Sequence, residues 1–185
     1  MSASSEAERE ELGYQYSPSR WSTRLPAGMV VDAHSEAIIA ATKTARETLQ
    51  CDLGIEYLEP GGPVLDIYHP QSTSGALGDV VFVWYHGGYW VAFGVGHAGV
   101  AAVPLTKHGA TVVAVGYTLA PKADMTRIVQ ECRESAVFLR KRFPDKRILC
   151  RGGQLSTHTV RAYQGDHLND HRLNHRWERE DVPFI

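Results

Sequence analysis

The sequence predicts an α/β fold with a mostly parallel sheet, on three observations. The first is Val80-Val81-Phe82-Val83-Trp84-Tyr85, an apolar and aromatic run that stops at His86-Gly87-Gly88. An apolar run without alternation suits a strand covered on both faces, as in parallel sheets. The second is alternation: similar runs at 111–117 and 147–150 are separated by a helical pattern over 124–142. The third is where the pattern stops. After Cys150 no strand-length apolar run appears, so the sheet is predicted to be incomplete, followed by an irregular polar tail or a lone helix.

The chain divides into a Ser/Glu-rich start at 1–13, a domain at 14–150 and the tail at 151–185. Residues 1–13 are too polar to bury surface, which predicts fraying. Tyr14, Tyr16 and Trp21 surround Pro18, which predicts an extended aromatic arm. Ala33 to Leu49 reads as a helix with Ile38, Ile39, Thr42 and Ala45 on one stripe. Residues 55–59 and 64–68 flank Pro60-Gly61-Gly62-Pro63 and read as a hairpin. His97 to His108 is helical, interrupted by Pro104 and ended at Gly109. Asp124 is the expected N-cap of the 124–142 helix, whose apolar positions are Met125, Ile128, Val129, Cys132, Ala136 and Leu139.

With 185 residues, one ordinary domain fits. A net charge of −2 gives no bulk attraction to nucleic acid or anionic membrane. No apolar stretch is long enough to span a bilayer, and Ser2 to Glu11 lacks the character of a secretory signal. The expected location is therefore the cytoplasm, with the nucleus open. Cys51, Cys132 and Cys150 are expected as small core residues of a reducing compartment rather than a disulfide framework.

The chemistry concentrates at His86-Gly87-Gly88-Tyr89-Trp90. Glycines directly after a buried strand allow close approach to the backbone, and backbone N–H groups there can receive an oxyanion. Together with Gln15-Tyr16-Ser17-Pro18-Ser19-Arg20-Trp21, Asp66-Ile67-Tyr68-His69-Pro70 and Tyr117-Thr118-Leu119-Ala120-Pro121, this string resembles the kynurenine formamidase (arylformamidase) family of the α/β-hydrolase superfamily. The resemblance covers about residues 11–150. It implies an incomplete α/β-hydrolase fold and a metal-free serine-type amide hydrolase without cofactors. The implied reaction takes N-formyl-L-kynurenine to kynurenine and formate in tryptophan breakdown. It also implies a small aromatic formamide as partner and leaves homo-dimerisation open. Gly87 and Gly88 would supply the oxyanion N–H groups, His86 would brace the loop, and Tyr89 and Trp90 would wall the pocket.

The departure from the family falls at the nucleophile. A Gly-x-Ser-x-Gly elbow is due after the 147–150 strand, with small residues because the serine sits on a strained turn. Here the chain reads Arg151-Gly152-Gly153-Gln154-Leu155-Ser156-Thr157-His158. Gln154 stands where the serine belongs, and Ser156 is flanked by Gln154 and His158 where small residues are needed. No triad residue is assignable by match, so the expectation is an inactive truncated or alternative form. A shifted frame or an alternative exon after Cys150 would give such a change of composition. One alternative is an active hydrolase with a rearranged site using Ser156. Another is a metal-binding or interaction protein, because His167, His171 and His175 recur at helical spacing with Asp166 and Asp170 beside them.

Overall fold

The computed structural model describes residues 5–72 and 75–152. Helix α1 (Glu6–Gln15) is followed by a 3₁₀ turn (Pro18–Trp21) and the long helix α2 (Ala27–Thr48). Then come β1 (Cys51–Glu56), β2 (Val64–Tyr68), β3 (Val80–Tyr85), a 3₁₀ turn (Val95–His97), α3 (Ala102–Lys107), β4 (Thr111–Val115), α4 (Met125–Arg142) and β5 (Arg147–Gly152).

The five strands lie in the order β1-β2-β4-β3-β5. β1 and β2 pair antiparallel, as do β2 and β4, while β3 is parallel to both β4 and β5. All strands but β2 therefore run in one direction. Every residue of β4 is buried. Its alternate side chains serve two cores: Val113 and Val115 face Ile128, Cys132 and Leu139 of α4, and Val112 and Ala114 join Ala45, Ala98 and Ala102. Two covered faces are the reason these strands read as continuous apolar runs.

Helix α4 follows its sequence signals. Asp124 Oδ1 accepts from the Arg127 N–H at 2.8 Å, and Arg140, Lys141 and Arg142 occupy the last turn, where cations complement the helix dipole.

The N-terminal readings need correction. Residues 6–15 form a helix rather than a frayed segment, because Ser5 and Glu8 make a reciprocal capping box with bonds of 2.8 and 3.2 Å. None of its residues is buried, so no apolar stripe announced it. The segment after Pro18 turns instead of extending, with the Trp21 Nε1–H donating to the Gln15 carbonyl at 3.0 Å and Arg20 over the Tyr14 ring. Helix α2 starts at Ala27, earlier than expected; Thr42 and Ala45 are buried, but Ile39 faces out. The hairpin's first strand likewise begins at Cys51, and β5 continues through Gly152.

Candidate active site

The loop after β3 sits at the carboxyl end of the parallel strands, the end at which open α/β sheets bind ligands. β5 pairs residue for residue with β3, and its last residue, Gly152, lies opposite Tyr85. A Cβ at Gly152 would meet Tyr85 Cβ at 3.0 Å and its carbonyl at 3.1 Å. The close approach sets the end of β5 against Tyr85, the residue directly before His86-Gly87. Gln154 and Ser156 follow outside the described residues, as do His167, His171 and His175. Among the described residues no group of three His, Cys, Asp or Glu side chains could hold a metal ion.

His86 is buried and held on three sides. Its ring stacks flat on Tyr117, with centroids 4.2 Å apart and 7° between planes. The Tyr117 hydroxyl donates to the His86 carbonyl at 2.9 Å. Its own Nδ1 lies 2.8 Å from the Gly87 carbonyl, which can only accept, so Nδ1 carries the proton. Burial pushes the imidazole below its ordinary value; the bond to Gly87 opposes this and nearby His97 adds to it. His86 is thus a neutral brace across the first peptide of the loop.

Past His86 the backbone turns sharply. Gly88 has φ +111°, and a Cβ there would lie 2.8 Å from the Ala92 carbonyl carbon and 2.9 Å from Phe93 Cδ2. The Gly88 carbonyl accepts from both Val91 and Ala92 at 3.0 Å. Tyr89, Trp90 and Phe93 also have left-handed φ, at 52°, 63° and 70°. Each such residue costs on the order of 1 kcal/mol, a strain that persists only where surrounding contacts enforce it. Within the described residues the N–H groups of Gly87 and Gly88 donate to no protein acceptor. Trp90 packs against the α4-side core with a buried, unbonded Nε1, while Tyr89 is exposed.

On the β2 and β4 side of this loop opens a groove of about 580 Å³ between the hairpin turn at Gly61 and Gly62, the Gly94-Val95 segment and Thr118. Lys122 and Arg127 line it. The groove lies on the side away from β5, so it is distinct from the space where β5 and the glycine loop meet.

The structure therefore brings together His86, Gly87, Gly88, Trp90 and the end of β5, with Tyr89 at the rim. Sequence reasoning expected His86 to brace the loop but missed Tyr117 as the residue that holds it. The Tyr117 string was visible, but stacking between residues 31 positions apart in sequence leaves no local pattern. The left-handed aromatic residues were also unreadable, because only glycine advertises a positive φ.

The low value of His86 has a consequence for stability. A histidine whose native pKa lies below its unfolded value of 6.5 leaves more protons on the unfolded chain, so its stabilising contribution is present above that value. The contribution is lost as pH falls from there to the native pKa. The expected result is a melting temperature that drops between pH 7.5 and 5.5, with a smaller drop in His86→Asn, measured by thermal unfolding at each pH.

The chain is similar to known proteins in sequence and in fold. No family model matches the chain. It is 38% identical to a kynurenine formamidase of Danio rerio over 174 residues, 94% of this chain and 56% of that protein. It is 40% identical to a kynurenine formamidase of Salmo salar over 137 residues, 74% of this chain and 46% of that protein. The longer match runs past residue 150. The chain spans about half the length of these curated relatives. Among solved structures, a protein described as a thioesterase from Silicibacter sp. TM1040 superposes with a TM-score of 0.67 at 24% identity, covering 81% of this chain and 54% of that one. An esterase of Pyrobaculum calidifontis superposes with a TM-score of 0.50 at 25% identity, covering 68% and 42%. No helix among the described residues is long and apolar enough to cross a membrane.

Proposed function

We propose that this chain, which has an α/β-hydrolase fold and is related in sequence to the kynurenine formamidases, carries the oxyanion half of a formamidase-type site. As the chain stands, it does not complete the reaction. The observation that carries the reading is that, among the described residues, the N–H groups of Gly87 and Gly88 meet no protein acceptor, while the strand leading into them pairs with the end of β5. In formamide hydrolysis a serine oxygen attacks the formyl carbon, and the carbonyl oxygen gains the charge that such donors stabilise. Tyr89, exposed at the rim, would offer an aromatic face to an aryl formamide such as N-formyl-L-kynurenine. Gln154, two residues past Gly152, has neither a nucleophilic oxygen nor the small volume that the elbow requires. Donors without a nucleophile have no tetrahedral oxyanion to receive.

The test is kynurenine release from N-formyl-L-kynurenine by the purified full chain. Release at the uncatalysed rate is expected, and no tryptophan-pathway role would then follow from catalysis by this chain. Enzyme-proportional release that Gly88→Ala abolishes would overturn the proposal in favour of a rearranged working site.

A further inference from the structure

We propose that Glu131 is the positioning residue of the oxyanion loop, acting through the turn at 117–121. The proposal rests on the reading of residues 86–90 as that loop. Glu131 lies in the middle of α4 and is only 3% exposed, between the core residues Ile128 and Cys132. A carboxylate there loses its hydration and stands only if donors replace the water. Two of its donors come from a single residue of the turn: Thr118 gives its backbone N–H to Oε2 at 2.7 Å and its hydroxyl to Oε1 at 3.0 Å. The third is the Arg127 Nε–H, at 2.9 Å from Oε1. Glu131 thereby clamps Thr118 to α4.

The clamped turn touches the loop at both ends. Just before Thr118, Tyr117 stacks on the His86 ring and donates to its carbonyl. Two residues beyond Thr118, the Ala120 N–H donates to the Trp90 carbonyl at 2.9 Å. The turn thus grips the oxyanion segment at its first and last residues, His86 and Trp90, with Gly87 and Gly88 between them. The segment holds left-handed backbone at Gly88, Tyr89 and Trp90, so it needs outside contacts to keep that shape. Arg127, which lines the groove, and Thr118 both call for an acid at position 131, and it is through Thr118 that the acid reaches the loop.

The experiment is amide hydrogen exchange with imidazole NMR on the full chain, comparing wild type with Glu131→Gln, Thr118→Val and a control, Glu134→Gln. Gln keeps the shape but offers one acceptor oxygen to three donors, and Val removes only the hydroxyl. In Glu131→Gln the Ala120 amide is expected to exchange about tenfold faster, and the slow-exchanging Nδ1 proton of His86 to disappear. The Leu139 amide stays within about twofold of wild type. Thr118→Val gives the same pattern at smaller size, and Glu134→Gln gives none. Unchanged protection at Ala120 and His86 would overturn the proposal. So would equal acceleration throughout α4 and β4, which would mark Glu131 as a packing residue only. If Glu131→Gln does not fold, Thr118→Val is read by the same criteria. The readout needs no turnover, so a working nucleophile elsewhere in the chain would sink the functional reading and leave this result to stand or fall alone.

Discussion

Gly88→Ala is expected to lower the stability of the chain by about 2–4 kcal/mol, a melting shift of roughly 10 °C. Two costs combine. At φ +111° an alanine is strained whatever the space around it. The added methyl would also meet the Ala92 backbone, which cannot rotate away as a side chain could. The loop has little room to give, because Val91 and Ala92 both donate to the Gly88 carbonyl. Calorimetry on wild type and variant checks the size. Gly96→Ala serves as control, since a Cβ there meets nothing within 4 Å, and a shift of less than about 2 °C is expected for it. A Gly88→Ala variant as stable as the control would mean that the loop is not held in this shape.

Asp66→Ala is expected to cost about 2–3 kcal/mol. Asp66 is buried on β2 and accepts from Arg46 Nη2 at 2.6 Å and from the Gly54 N–H at 2.9 Å. Its removal leaves a guanidinium whose Nε already has no partner, and strands the Gly54 donor at the irregularity in β1. Breaking a buried ion pair from one side costs about 3–5 kcal/mol, and the partial exposure of Arg46 reduces that by solvent screening. Asp66→Asn keeps an acceptor for Gly54 and should lose less. Urea denaturation at neutral pH measures both; equal midpoints for Ala and Asn would contradict the assignment of Gly54 as a partner.

The two sites show how unevenly the sequence revealed the molecule. Strands β3 and β4 and helix α4 were legible because each buries a continuous run or a stripe of apolar residues, and that is a local pattern; β5 was legible from Ile148-Leu149-Cys150, although only Ile148 of it is buried. The strand order was not, since β2 pairs with β4 rather than β3, and pairing across intervening segments has no sequence period. Helix α1 was hidden because its stability resides in Ser5 and Glu8 rather than in burial. At the site, His86 to Trp90 stood out through glycines and aromatics. Asp66 stood out as part of a family string, but its partner Arg46 lies on another element. Glu131 was silent: on a helix carrying Glu134, Arg127 and Arg133, one more charge reads as solvated surface.

An oxyanion loop without a working nucleophile, as proposed for this chain, would leave it inert to serine-directed reagents. Labelling with a fluorophosphonate probe checks this, because the probe phosphonylates stoichiometrically only a serine that a base and an oxyanion site have activated. The full chain is expected to take up no stoichiometric label, with peptide mapping returning trace adducts spread over surface residues. Stoichiometric labelling at Ser156, abolished by Ser156→Ala, would contradict the claim.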